Sequence, residues 1–132
     1  MRIIFWQISV SPHLTPFYRE LSKFVDECIV VAPQDISAPR KVMGWSMGEL
    51  GNTKIIISPD KEQIDLLLTL TKNTHHFFSG ISTYSFVYYA LKKAIKNGHK
   101  INIISENVKL KGLKGKARLL KYKYQRFKYG RH

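Results

Sequence analysis

His13 and Glu106 are the two side chains whose type and position best suit the binding of a small polar ligand. His13 stands just after an apolar run, where a neutral imidazole can donate a hydrogen bond to an anionic or sugar oxygen. Glu106 is the only acid in the last third of the chain, and its carboxylate can accept hydrogen bonds from the hydroxyls of a polyol or a sugar. Plainer roles stay open for both: a solvated or capping histidine, and an ion pair with a neighbouring lysine.

Metal and thiol chemistry have less support in this sequence. Cys28 is the only cysteine, so the chain forms no intramolecular disulfide and no cysteine-based metal cluster, and its apolar surroundings predict a buried strand residue. His75 and His76 are adjacent on a predicted strand and therefore face opposite sides of the sheet. Because the pattern places no third ligand near them, we expect structural roles for both and predict no metal site.

Five short runs, rich in β-branched and aromatic residues, predict buried strands separated by segments of helix length. The strands cover residues 2–9, 27–32, 53–58, 75–78 and 100–105. The stretch between the second and third strands contains three glycines and no clear period. It predicts a loop with one short helical turn.

Three helices are predicted between these strands. One runs over residues 61–72 and is capped by Asp60. Another runs over residues 83–97, is capped by Ser82 and is closed by Gly98. The first helix, before the second strand, is indicated by an apolar stripe of Leu14, Phe17, Leu21 and Phe24.

Strands that alternate with helices imply right-handed crossovers and therefore a parallel sheet. We expect an α/β fold, a doubly wound Rossmann-like sheet of order 3-2-1-4-5 with helices on both faces. Ligands bind such sheets beyond the carboxyl ends of the strands, where the strand order reverses. This brings the loop over residues 10–14 beside the loop over residues 79–82. The predicted ligand-binding residues are Ser11, His13, Ser79, Gly80 and Glu106.

The loop after the first strand excludes several nucleotide-binding classes. It lacks the Gly-x-Gly-x-x-Gly pattern that lets a dinucleotide pyrophosphate approach the backbone, and the chain has no Gly-x-x-x-x-Gly-Lys-Ser/Thr loop. A phosphoacceptor receiver domain needs acidic residues at strand ends where this chain has Gln7, Ser9 and Ser58. We therefore expect neither a nicotinamide dehydrogenase, nor a P-loop nucleotidase, nor a receiver.

The net charge of +13 lies in the C-terminal arm, residues 109–132. Residues 1–108 hold 12 lysines and arginines against 9 acids, whereas the arm holds 10 and no acid. Apolar residues recur every three or four positions in the arm, which predicts a helix whose stripe packs on the domain and whose other face is basic. The stripe consists of Leu113, Ala117, Leu120, Tyr124 and Phe127. The cations expected to contact a membrane or another anion are Lys114, Lys116, Arg118, Lys121, Lys123, Arg126 and Lys128.

Several short motifs along the chain carry a family resemblance. They are Arg2-Ile3-Ile4-Phe5 in the first strand, Ser11-Pro12-His13 before Pro16-Phe17, Phe78-Ser79-Gly80, Glu106 after the fifth strand, and the basic tyrosine-rich helix. Together they resemble the N-terminal domain of a GT-B glycosyltransferase of the family 4 type. The resemblance implies that this domain binds a glycan or lipid-linked acceptor, in surface polysaccharide synthesis. A C-terminal domain with paired glutamates would hold the nucleotide-sugar donor.

That donor domain is not part of this sequence. We therefore expect residues 1–108 to form the acceptor-binding domain and residues 109–132 to be a basic amphipathic helix of the same domain. On this interpretation the chain is a fragment with no cofactor of its own and little or no transferase activity alone.

The location follows from the same features. No apolar run reaches the length of a spanning helix, and the first residues lack the layout of a signal peptide, which predicts a cytoplasmic protein. The resemblance implies that the basic arm reaches lipid-linked acceptors at the inner face of the membrane. Each lysine or arginine near an anionic leaflet contributes about 1 kcal/mol. Aromatic anchors at the interface are Tyr122, Tyr124, Phe127 and Tyr129.

Two other functions remain open at this point. Lysines and arginines interleaved with tyrosines also suit the phosphates and bases of nucleic acid, although no recognised nucleic-acid motif accompanies them. The chain can also be a non-catalytic partner subunit that recruits a separate catalytic chain through its cleft. Comparing the binding of anionic vesicles with that of single-stranded DNA distinguishes the membrane role from the nucleic-acid role. A donor-domain protein bound in trans would support the role of a partner subunit.

Overall fold

The computed structural model describes residues 1–36, 38–69, 73–81, 84–104 and 112–129, without the side chains of Leu113 and Lys114. Within these ranges the chain forms five strands and five helices. The strands are β1 (Arg2–Trp6), β2 (Glu27–Ala32), β3 (Lys54–Ile57), β4 (Thr74–Ser79) and β5 (Lys100–Ile104). The helices are α1 (Thr15–Leu21), α2 (Ala38–Val42), α3 (Lys61–Leu67), α4 (Ser85–Lys96) and α5 (Gly112–Tyr129), with a 3-10 turn over Pro12–Leu14 before α1.

The strands form one parallel sheet of order β3-β2-β1-β4-β5. β1 lies at the centre, with Trp6 opposite Val31 of β2 on one side and Phe78 of β4 on the other. Because the strand order reverses beside β1, the loops that leave β1 and β4 emerge next to each other at the carboxyl edge of the sheet. The predicted α/β, Rossmann-like fold and its strand order are confirmed.

Both faces of the central strands are covered, which explains why β1 and β2 are apolar at almost every position. On one face, Trp6, Ile29 and Phe78 pack with residues of α3 and α4. On the other face, Phe5 and Val30 pack with α1. Each fully buried side chain of this size stabilises the fold by roughly 1.5–3 kcal/mol. These two layers fix the strands whose ends carry the candidate site.

The helix ends agree with the sequence in part. Asp60 caps α3 as predicted, because its carboxylate accepts from the N–H of Gln63 at 2.7 Å while the Gln63 side chain accepts from the N–H of Asp60. α3 ends at Leu67, earlier than the predicted end at residue 72. α4 begins at Ser85 with Tyr84 as its N-cap, two residues later than the predicted start at residue 83, and the predicted cap Ser82 lies outside the described residues. The closing role of Gly98 is confirmed by its φ of +74°.

The apolar stripe predicted for α1 is not its buried face. Thr15 and Tyr18 are buried, whereas Phe17 and Phe24 are exposed. The Tyr18 ring packs on Phe5, with 5.0 Å between ring centroids. α1 has only seven residues, so Phe24 lies beyond its end and cannot share its packed face.

Helix α5 forms as predicted, but the described residues of its apolar stripe face solvent. Leu120 is 72% exposed, Tyr124 62% and Phe127 71%, whereas Gly115 and Gln125 are buried. At 3.6 residues per turn, the buried positions lie on the side opposite these three residues, which we call the outer stripe. The expectation that the stripe packs on the domain is therefore wrong. Within the described ranges, no helix combines the length and apolarity needed to cross a bilayer.

A chain of hydrogen bonds runs through the layer under α3 and α4. The indole N–H of Trp6 donates to Nδ1 of His76 at 3.1 Å, which leaves the His76 proton on Nε2. The Nε2–H of His76 donates to Nδ1 of His99 at 3.2 Å, and the Nε2–H of His99 donates to the carbonyl of Leu68 at 2.7 Å. Both imidazoles are therefore neutral, and burial lowers the pKa of His76 to about 3. His75 is half-buried on the other face, so the predicted opposite orientation of the two histidines is confirmed.

Candidate functional site

The predicted site lies at the carboxyl edge of the sheet, where β1 and β4 end side by side. The N–H of Gln7 donates to the carbonyl of Val31 at 2.8 Å, so the chain pairs with β2 for one residue beyond β1. After β4, the N–H of Gly80 donates to the carbonyl of Ile104 at 2.8 Å. The two loops thus start from anchored backbone on neighbouring strands.

Ser11 and His13 lie in the loop and 3-10 turn that follow β1. The carbonyl of Ser11 accepts from the N–H of Leu14 at 3.0 Å, and its side chain makes no capping hydrogen bond. Ser11 is half-buried and His13 is exposed. Neither side chain hydrogen-bonds to another described residue, so their polar atoms are available to a ligand.

Ser79 and Gly80 end β4 at the same edge. Ser79 is half-buried and lies opposite Ile104 in the register with β5. Gly80 has φ +80°, the left-handed region that favours glycine; the tight turn predicted there stays a prediction, because residues 82 and 83 lie outside the described ranges. Glu106 lies outside the described residues, and its role stays a prediction.

A cluster that the sequence pattern did not predict lies beside His13, formed by the indole of Trp45 and the guanidinium of Arg40. The His13 ring meets the Trp45 ring at 76°, with centroids 4.7 Å apart. Cζ of Arg40 lies 5.1 Å from the centroid of the Trp45 ring, which is a cation–π distance. We call these three residues the Trp45 cluster. No sequence signal could have predicted it, because a loop without a period does not indicate which residues it contacts.

Glycines at two positions let the segment after Trp45 run directly along α1. A Cβ at Gly48 would lie 3.3 Å from Oγ1 of Thr15. A Cβ at Gly51 would lie 3.0 Å from Oγ of Ser22, which is tighter than nine in ten real Cβ contacts. The segment therefore lies against α1 and holds the indole near the start of that helix, at the carboxyl edge.

No carboxylate of the described residues balances the charge of Arg40. Its neighbour Lys41 pairs with Asp35 at 2.8 Å, and the Lys41 hydrogen bond lowers the pKa of the Asp35 carboxyl. In the described part of the chain, no ion pair involves Arg40. Its donors are therefore available to an anion that a ligand brings.

The cations of α5 flank its outer stripe. At 3.6 residues per turn, Lys116 and Lys123 lie on one side of the stripe, and Lys121 and Lys128 lie on the other. All four are exposed, and the helix carries no acid. The remaining predicted cations are Arg118 and Arg126, exposed nearer the packed side, and Lys114, whose side chain is not described.

The last turn of α5 contacts α4 near the carboxyl edge. The hydroxyl of Tyr129 donates to the hydroxyl of Tyr88, which lowers the pKa of Tyr88 and raises that of Tyr129. Nζ of Lys92 lies 4.7 Å from the centroid of the Tyr88 ring. Because α4 starts just after the carboxyl end of β4, its first turns and Tyr129 lie at that edge.

Comparison with known proteins identifies no family for this chain. No family model, no curated protein and no solved structure matches it. Since one fold hosts many functions, the function has to be argued from the site itself. Three features bear on it: the carboxyl edge, the Trp45 cluster and the exposed surface of α5.

The arrangement at the carboxyl edge suits ligand binding. The described residues there offer serine hydroxyls, an imidazole and a guanidinium, which recognise hydroxyl groups and anions. In the ranges that the structure describes, no group of three or more histidine, cysteine, aspartate or glutamate side chains can hold a metal ion. Recognition of a polar ligand is therefore the chemistry that this edge supports directly.

Proposed function

We propose that this chain is the acceptor-binding domain of a GT-B glycosyltransferase of the family 4 type. The observation that carries the proposal is a parallel sheet of order 3-2-1-4-5 with polar, not glycine-rich, loops at its reversal point. Hydroxyls and an imidazole suit the hydroxyls of a sugar, whereas a dinucleotide site needs backbone that closely approaches a pyrophosphate. The described residues assigned to the acceptor are Ser11, His13, Ser79 and Gly80.

Each of these residues has a distinct task in the proposal. The exposed imidazole of His13 donates to a sugar oxygen or accepts from a hydroxyl, and the Ser11 and Ser79 hydroxyls can do both. Gly80 lets the ligand come close to the backbone where a side chain would block it. The nucleotide-sugar donor and the groups that transfer the sugar belong to another domain, so this chain binds its acceptor without turnover.

The same proposal places the domain on an anionic membrane through α5. An apolar stripe flanked by lysines on both sides is the pattern of a helix that lies in the interface, with its apolar side chains about 5–10 Å into the lipid. Lysine stems can lie along the apolar surface while their ammonium groups reach lipid phosphates. The contact of Tyr129 with Tyr88 keeps this surface near the edge that binds the acceptor.

Binding of a soluble acceptor mimic tests the sugar-binding part of the proposal. Octyl glucoside below its critical micelle concentration is expected to bind with a dissociation constant on the order of 1 mM, measured by isothermal titration calorimetry. Tetraethylene glycol octyl ether, which has the same apolar chain without a sugar ring, is expected to bind at least about 10-fold more weakly, since it offers no ring of hydroxyls to the loops.

A variant pair makes the test specific. Ser79→Ala is expected to weaken octyl glucoside binding severalfold, whereas Ser85→Ala, on the exposed start of α4, should leave it unchanged. Equal affinity for the two detergents would contradict the proposed acceptor role.

A further inference from the structure

The Trp45 cluster presents a cation whose position is fixed before any ligand arrives. The guanidinium of Arg40 lies over the indole of Trp45, at 5.1 Å from the ring centroid. The backbone N–H of Trp45 also donates to the backbone carbonyl of Arg40 at 3.0 Å, which holds the two residues together. A guanidinium held in this way loses little freedom when it binds an anion, and its planar fork matches phosphate.

His13 adds a second donor on the same ring. Its imidazole centroid is 4.7 Å from that of Trp45, so the imidazole and the guanidinium of Arg40 lie within about 10 Å of each other. A phosphate has several acceptor oxygens and can take hydrogen bonds from two such groups at once. The neighbouring cation Lys41 is already paired with Asp35, so it does not share this arrangement.

Large apolar side chains are exposed in the chain segment that carries this cation. Val42 and Met43, at the end of α2, are 89% and 65% exposed, and Met47 follows on the other side of Trp45 with 37% exposed. Apolar side chains left in water in the same short segment as an open cation suit a ligand that joins an anionic group to an apolar chain. A free sugar phosphate would leave these side chains in water.

We propose that the Trp45 cluster binds the phosphate of a lipid-linked molecule, with Arg40 and His13 on the phosphate and Val42, Met43 and Met47 along the apolar chain. This site names the class of acceptor, a sugar carried on a lipid phosphate, and in that respect it rests on the proposed function. The phosphate binding itself does not depend on sugar transfer and is tested without a sugar.

The two tryptophans of the chain allow a local test. Dihexanoyl phosphatidic acid below its critical micelle concentration is titrated into uniformly ¹⁵N-labelled protein, and the two indole N–H signals are followed by NMR. The Trp45 signal is expected to shift saturably. The Trp6 signal is expected to stay in place, because its N–H is buried and donates to His76. Glucose 1-phosphate, which has no apolar chain, is expected to bind at least about 3-fold more weakly.

Substitutions assign the effect to the cluster. Arg40→Gln is expected to weaken phosphatidic acid binding about 10-fold or more, and His13→Gln severalfold, because each removes a donor to a charged oxygen. Lys41→Gln removes the same charge from the next residue and is expected to change the affinity less than about 2-fold, since that cation already has a carboxylate partner.

Three results would overturn the assignment. They are an unsaturable or absent shift of the Trp45 signal, equal losses for Arg40→Gln and Lys41→Gln, and binding of glucose 1-phosphate as tight as that of the lipid. A positive phosphate titration together with no octyl glucoside binding would keep this site and remove the proposed acceptor function. Octyl glucoside binding without a saturable phosphatidic acid titration would overturn this phosphate site and leave the proposed acceptor function standing.

Discussion

Lowering the pH from 7 to 5 is expected to reduce the free energy of unfolding by about 2 kcal/mol through His76 alone. Burial lowers the pKa of this imidazole from 6.5 to about 3 in the folded chain. Above pH 6.5 the residue is neutral in both states, and its full contribution to stability is present. Below pH 6.5 only the unfolded chain takes up the proton, so stability is lost until the pH nears 3, about 5 kcal/mol in all.

The hydrogen-bond chain explains why the folded protein resists this proton. A protonated His76 would turn its Nδ1 into a donor that faces the indole N–H of Trp6, so two donors would oppose each other. His76 is fully buried in this layer, and among the described residues no carboxylate forms an ion pair with its imidazole. Burial is the largest cause of the lowered pKa, and any positive charge on the neighbouring His99, Arg2 or His75 would lower it further.

Urea denaturation at a series of pH values measures the prediction. His76→Gln is expected to cost about 1–3 kcal/mol at pH 7 and to flatten the dependence between pH 7 and 5. His13→Gln, which removes an exposed histidine, should keep the wild-type slope. The carboxyls of Glu27 and Asp35 have lowered pKa values and titrate below this window. A wild-type stability that is equal at pH 7 and pH 5 would show this account of His76 to be wrong.

Replacing the four lysines beside the outer stripe of α5 by glutamine is expected to lower the affinity for phosphatidylglycerol-rich vesicles about 100-fold or more. Each lysine near an anionic surface contributes about 1 kcal/mol, reduced by screening when several act together. Wild-type binding, measured by vesicle flotation, should weaken with added salt and be lost on phosphatidylcholine vesicles. The substituted residues are Lys116, Lys121, Lys123 and Lys128.

Two matched variants separate the membrane contact from charge in general. The first removes four exposed lysines elsewhere, at Lys23, Lys61, Lys96 and Lys100, and is expected to reduce vesicle binding far less. The second replaces Leu120 and Tyr124 by serine, which keeps every charge and should still weaken binding, because the apolar anchors are lost. Tight binding to single-stranded DNA with none to anionic vesicles would replace the membrane role by the nucleic-acid one.

The fold could be predicted because its signals are local. Ile3 to Trp6 and Cys28 to Val31 are apolar without interruption, as strands covered on both faces must be, and Asp60 marks a helix start through its own backbone hydrogen bond. Right-handed crossovers then leave few strand orders. The position of Ser79 and Gly80 at the edge beside the β1 loop followed from that order alone.

The Trp45 cluster could not be predicted, because its contacts are not local. Trp45 meets His13 only because the segment that follows it lies along α1, where Gly48 and Gly51 allow close approach. Nothing in the composition of that loop encodes its path. The sequence contains His13, Arg40 and Trp45 but does not indicate that their side chains are in contact.

The orientation of α5 was predicted wrongly for a related reason. The periodicity rule finds the apolar face of a helix and assumes that this face packs on the protein. Here the packed positions include Gly115 and Gln125, which are not large apolar residues, while Leu120 and Tyr124 face outward. Periodicity thus locates a stripe, but the partner that covers it depends on the rest of the structure.

The most direct test of the central claim is to locate a bound acceptor mimic residue by residue. In ¹⁵N-labelled protein titrated with octyl glucoside, the backbone amides of Ser11, His13, Ser79 and Gly80 are predicted to show the largest saturable shifts. Amides at the opposite, amino edge of the sheet, such as those of Arg2 and Glu27, should not move. Largest shifts at the amino edge, or none that saturate, would contradict an acceptor site at the carboxyl edge of β1 and β4.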